Sequence, residues 1–127
     1  MIALRHRALE GFLAFALAAI LTTQLHAMEL IMVEQHGCHY CEQWDEEIAP
    51  AYPKTAEGRF APLRRVHINE IPDDLTLVSD PAFTPTFILV EDGKELARIE
   101  GYPGDDWFWP LLEALLEQNT TYMPGGS

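Results

Sequence analysis

The chain contains two cysteines, Cys38 and Cys41, separated by two residues. A disulfide between them closes so short a loop that it removes little entropy from the unfolded chain, so a purely structural staple explains it poorly. Tetrahedral zinc fits no better, because four ligands are needed and the sequence has neither a second Cys-x-x-Cys nor a pair of histidines at finger spacing. Redox chemistry remains. If the pair opens a helix, residues three apart stand one turn above each other with their Cα atoms within disulfide reach, so one thiol can attack while the other resolves. Free backbone N–H groups and the dipole at that helix end favour the thiolate of Cys38, the nucleophilic form.

His39 and Tyr40 fill the positions between the cysteines. A cationic or polarised imidazole beside Cys38 stabilises its thiolate and makes it a better leaving group, which pushes the couple toward oxidising. The acidic run Glu42, Asp45, Glu46 and Glu47 acts in the opposite sense. The signs conflict, so the residues leave the reduction potential and the direction of transfer open, and an oxidase or isomerase stands beside a reductase. His36 and His39 with the two cysteines could also clasp copper, since thiolate and imidazole are soft-metal ligands; a copper chaperone is the alternative from another class. No Met-rich or His-rich stretch accompanies that cluster, and His67 reads as a half-exposed strand residue.

The elements around the pair alternate strand and helix. Leu30 to Val33 is a short continuous apolar run that predicts a strand buried on both faces, and the cysteine motif comes directly after it. From Tyr40 the pattern is helical, with Cys41, Trp44 and Ile48 on the packing face, ending near Ala49 before Pro50 and Pro53. After a polar stretch from Lys54 to Pro62, Leu63 to Asn69 predicts a second strand, parallel to the first because the connection is long enough to return. Arg64 and Arg65 read as a solvated edge of that strand. A short helix is expected around Leu75 to Val78. Thr86 to Val90 and Glu95 to Glu100 form a hairpin about the turn Glu91 to Lys94. Trp107, Phe108, Leu111, Leu112 and Leu115 recur at helical spacing and predict a closing helix from Asp105 or Asp106, or from Trp107 onward if Pro110 is to sit in its first turn. Trp107, Phe108 and Trp109 are read as packing residues of that helix.

Arg5, His6 and Arg7, the apolar run Gly11 to Leu21 and the site Leu25-His26-Ala27 have the three parts of a secretion signal over residues 1–27. The apolar run is shorter than the roughly 20 residues that span a bilayer, so no membrane anchor is expected after cleavage. The remaining roughly 100 residues suffice for one domain, over 28–120, with 121–127 as a flexible tail. They carry six basic against nineteen acidic residues. Such a surface repels phosphate, which argues against nucleic acid as a partner and against anionic membrane surfaces.

The order strand, Cys-x-x-Cys, helix, strand, helix-like linker, Thr-Pro, strand, Gly turn, strand, Gly, helix resembles the thioredoxin family over essentially the whole mature chain. Two separated motifs carry the resemblance: Gly37-Cys38-His39-Tyr40-Cys41, and Phe83-Thr84-Pro85-Thr86 followed by Phe87 to Val90, Gly93 and Gly101. Glu34 to Cys38 with Trp44, and Ile99 to Gly104, look most like the SoxS-type exported thioredoxins associated with bacterial sulfur oxidation. The resemblance implies an α/β thioredoxin fold with about four strands in a mixed sheet flanked by helices, without the extra N-terminal strand and helix of thioredoxin itself. It implies Cys38 as exposed attacking thiol, Cys41 as buried resolving thiol, and Pro85 as a cis-proline that leaves the backbone of Thr84 free to hold an incoming peptide. Without it, Pro85 reads as an ordinary trans residue before a strand. It further implies an exported, periplasmic thiol-disulfide oxidoreductase needing no cofactor or metal beyond its disulfide. Its substrate is then a protein disulfide, such as that of a sulfur-carrier protein, and its electron donor a membrane protein of cytochrome-biogenesis type. One departure concerns proton transfer: Met32 stands where thioredoxins commonly keep a buried acid. Glu34, on the same strand face by alternation, is the candidate relay and, with His39 and Tyr40, the candidate tuning residue.

Overall fold

The structure is a computed structural model that describes residues 27–125. The segment read as a secretion signal therefore lies outside the described residues except for Ala27. Among the described residues four strands, β1 (Met28–Glu34), β2 (Leu63–His67), β3 (Thr86–Glu91) and β4 (Lys94–Glu100), form one sheet in the order β2-β1-β3-β4. β1 runs parallel to β2 and antiparallel to β3, which is antiparallel to β4. The apolar runs form the two central strands: Leu30 to Val33 and Phe87 to Val90 are fully buried, as residues covered on both faces must be. Asp92 and Gly93, both at positive φ, make the two-residue hairpin turn between β3 and β4.

The helices α1 (His39–Glu47), α2 (Ala56–Phe60) and α3 (Asp105–Asn119) pack on one sheet face. That face presents Leu30, Met32, Phe87 and Leu89, against which α1 lays Trp44 and α3 lays Phe108, Leu112 and Leu116. The Trp44 ring meets Phe87 and Phe108 at centroid distances of 5.3 and 5.8 Å, so one aromatic cluster fixes both helices to the sheet. α2 lies in the stretch expected to be polar coil. Thr55 caps it through its hydroxyl and Gly58 lets it approach closely, since a Cβ there would fall 1.8 Å from the Tyr52 carbonyl oxygen.

α3 starts at Asp105 and carries Pro110 within it. Its buried stripe is Phe108, Leu112 and Leu116, with Trp109 and Leu115 partly buried, whereas Trp107 is 67% exposed and Leu111 is also exposed. The stripe expected from Trp107 and Leu111 is thus rotated by one position. The tail is held further than expected: Tyr122 is buried against Phe60 and its hydroxyl donates to Glu57 at 3.0 Å.

Among the described residues no helix covers the second face. The chain leaves β2 at one edge and crosses that face to the β4 edge, laying Ile68, Ile71, Leu75 and Leu77 over Ile31, Val33, Val66, Ile88 and Val90. The helix expected at Leu75 to Val78 is absent because Thr76 pairs with β4 instead, donating to the Gly93 carbonyl and accepting from the Glu95 N–H. A bulge fastens the far end. Val90 faces Glu95 while Leu89 faces Ala97, so Leu96 is the extra residue and Glu95 and Arg98 share one face. Their ion pair is nearly buried, with the Glu95 carboxylate also accepting from the Val78 N–H and Arg98 donating to the Ser79 carbonyl.

Candidate active site

Gly37, at φ +72°, turns the chain from β1 into α1 and delivers Cys38 as the N-cap. Cys38 and Cys41 are joined in a disulfide with Cα atoms 5.2 Å apart. The Sγ of Cys38 accepts the Cys41 backbone N–H at 3.1 Å, one of the donors that a helix N-terminus leaves unpaired. After reduction the same N–H and the helix dipole favour a Cys38 thiolate. The Cys38 residue is 7% exposed and Cys41 4%. In the oxidised state Cys38 is therefore the more open of the two by a small margin, but buried where an exposed thiol was expected. His39 and Tyr40 occupy the first helical turn on the outside, their rings edge to face at 5.4 Å, and both are exposed.

A groove of about 200 Å³ runs along the pair, lined among others by Glu34, Gln35, His36, Asp45 and His67. The parallel pairing of β1 and β2 sets Arg65 opposite Met32 and His67 opposite Glu34. Arg65 is an exposed residue of the edge strand β2, as expected, but it is also ion-paired: its Nη1 donates to Glu34 at 2.7 Å and its Nη2 to Asp45 at 2.6 Å, with the guanidinium 5.7 Å from the Trp44 ring centre. Burial pulls its pKa down, but the hydrogen bonds it donates to Asp45 and Glu34 outweigh that and raise it. Glu34 thus sits on the expected face as half of an ion pair. His67 accepts the Asn69 N–H at Nδ1, and its ring lies 5.5 Å from that of His36. Among the described residues no group of three or more His, Cys, Asp or Glu side chains is arranged to hold a metal ion.

The Thr84–Pro85 peptide is cis. Pro85 is buried and its carbonyl accepts the Gly101 N–H at 2.8 Å, while Thr84 Oγ1 accepts from Gln35 Nε2 at 2.9 Å. That bond joins the proline loop to the loop preceding Cys38. Among the described residues the Thr84 backbone makes no hydrogen bond to another backbone group. From the other side, the Tyr102 hydroxyl donates to Glu47 at 2.5 Å, clipping the end of α1 to the segment after β4.

A model of the thioredoxin-like domain matches residues 15–116. The chain belongs to the thioredoxin family. Among solved structures, this thioredoxin-like chain is 50% identical to the periplasmic thioredoxin SoxS from Paracoccus pantotrophus, crystallised in reduced form; the match covers 72% of this chain and 97% of that one with a TM-score of 0.70. No curated protein matches. A thioredoxin-like domain with a disulfide at the start of its first helix is built for thiol-disulfide exchange.

Reading the sequence alone missed Gln35, Arg65 and Tyr102. Arg65 carried a faint signal, since alternation along β2 puts it on the face of Leu63, the helix-covered side. Gln35 and Tyr102 act across 49 and 55 residues, separations no local pattern reveals.

Proposed function

We propose that the protein is an exported, periplasmic thiol-disulfide oxidoreductase that reduces a disulfide or mixed disulfide on a partner protein. The observation that carries this reading is the Cys38–Cys41 disulfide at the N-terminus of α1, in a chain half identical to a periplasmic thioredoxin.

In the reduced protein the Cys38 thiolate attacks one sulfur of the partner disulfide. A mixed disulfide forms and the partner's other sulfur leaves as a thiolate that takes up a proton. Cys41, deprotonated, then attacks Cys38 Sγ; the intramolecular disulfide forms and the partner's first sulfur leaves as its thiol. Two electrons pass to the partner. Thr84, next to Pro85, offers backbone groups on which the partner segment lies like an added strand. His39 and Tyr40 tune the couple from the exposed first turn, and Glu34 acts with Arg65 as a charge pair beside the groove. A membrane electron carrier of cytochrome-biogenesis type restores the dithiol, and the substrate is a mixed disulfide on the cysteine of a sulfur-carrier protein.

Trapping tests the assignment. Cys41→Ser should accumulate a covalent adduct with partner proteins in a periplasmic extract, identified by mass, and Cys38→Ser should not. Equal trapping by both variants, or by neither, contradicts the roles given to the two sulfurs.

A further inference from the structure

We propose that Gln35 is a positioning residue for partner binding, holding Thr84 in the attitude that receives the partner's backbone. The inference rests on the reading of the protein as a protein-disulfide reductase and deepens it. On its C-terminal side Thr84 is fixed by its neighbours: the Pro85 carbonyl is bound by the Gly101 N–H, and Thr86 Oγ1 donates to the Phe83 carbonyl at 2.7 Å. Toward the cysteines its tie is the Gln35 amide, 2.9 Å from Oγ1. Because its backbone is unengaged by other backbone among the described residues, nothing in a sheet ladder orients its N–H and C=O. Gln35 lines the groove beside Cys38, two residues before Gly37. Beside the pairing of Val33 with Thr86 in the sheet, this side chain therefore adds a direct tie between the surface that binds the partner and the loop that carries the attacking sulfur. Fixing their spacing beforehand lowers the ordering cost of binding and leaves the sulfur chemistry unchanged.

The test compares a protein disulfide, insulin, with the small disulfide dithiodipyridine, which has no peptide backbone to lay on Thr84; dithiothreitol supplies electrons for insulin turnover, and dithiodipyridine is reduced in a single turnover by pre-reduced protein freed of dithiothreitol, which would otherwise reduce it directly. Gln35→Ala should raise KM for insulin about threefold to tenfold, the worth of one exposed hydrogen bond, with kcat within about twofold and the dithiodipyridine rate unchanged. Thr84→Val, which keeps the shape and removes the hydroxyl, should raise the insulin KM by a similar factor, and the double variant should be no worse than the poorer single one. An unchanged KM, an equal loss on both substrates, or additive losses would overturn the proposal. Wild-type protein inert toward insulin speaks against the reductase reading itself. In that case the side chain of Thr84 in the oxidised protein still decides on Gln35: its χ1 rotamer, read from NMR scalar couplings, should become averaged in Gln35→Ala, and a single unchanged rotamer rejects the positioning role.

Discussion

Arg65 holds Glu34: its Nη1 lies 2.7 Å from the carboxylate at the mouth of the groove beside the cysteines. The same guanidinium binds Asp45, so two of the negative charges nearest the disulfide are balanced by one cation that reaches them from β2. A carboxylate engaged in this way has little reason to leave its partner and carry protons. We propose that its influence on the cysteines is instead one of charge.

Glu34→Gln frees part of the Arg65 charge to favour a thiolate, and the reduced form gains. The equilibrium constant against a glutathione buffer should move about threefold to tenfold toward the dithiol, on the order of 1 kcal/mol, with a smaller shift at high salt. The rate of insulin reduction should stay within about twofold. A rate loss of tenfold or more without a change in the equilibrium would make Glu34 a proton carrier after all.

Tyr102 and Glu47 make the fold sensitive to acid. The Tyr102 hydroxyl, helped by Gln43, holds the Glu47 carboxylate below its usual range of 4.5. At Glu95 burial pushes upward, but the hydrogen bonds from Arg98 and the Val78 N–H prevail and the pKa falls. A lowered carboxylate contributes stability that is present above its unfolded pKa and is lost as pH falls through the folded one. Stability should therefore decline below about pH 4.5, and Tyr102→Phe should flatten that decline in urea titrations across acid pH. Tyrosines act on the other side: burial and the Glu57 carboxylate push Tyr122 up to about 12, so stability should fall again as pH rises above 10.

Glu95 and Arg98 fasten the covering segment to β4. Their side chains are 4% and 14% exposed, so removing one leaves the other's charge in poor solvent. Glu95→Ala should cost about 2 to 3 kcal/mol, less than a fully enclosed pair because Arg98 retains some water. It should also speed amide exchange at Val78 ahead of global unfolding. A loss below about 0.5 kcal/mol would show that the apolar contacts of Leu75 and Leu77 hold the segment unaided.

Much of this is legible in the amino-acid order itself. The apolar runs at Leu30 to Val33 and Phe87 to Val90 declare buried central strands, Asp92-Gly93 declares the hairpin, and the cysteine spacing declares a helix start. What escaped depends on tertiary partners. α2 has only five residues and no apolar stripe; Thr55 and the close fit of Gly58 against Tyr52 define it. Thr76 leaves a helical pattern because β4 offers backbone partners. In α3 the presence of both Trp107 and Trp109 obscures which face is inward, since neighbouring aromatics fit several stripes and the sheet selects Phe108. At the site, the cysteines were evident by type and spacing, whereas Arg65 acquires meaning only once the register with Met32 and Glu34 is known.

The central claim is that Cys38 and Cys41 cycle between disulfide and dithiol. Its most direct test is a redox titration of the purified protein in graded dithiothreitol and glutathione buffers, with free thiols counted by alkylation and mass. One reversible two-electron transition is expected, which loses and regains two thiols together and disappears in Cys38→Ser. A disulfide that stays closed across the whole range while the protein remains folded, or one that opens only on unfolding, contradicts it.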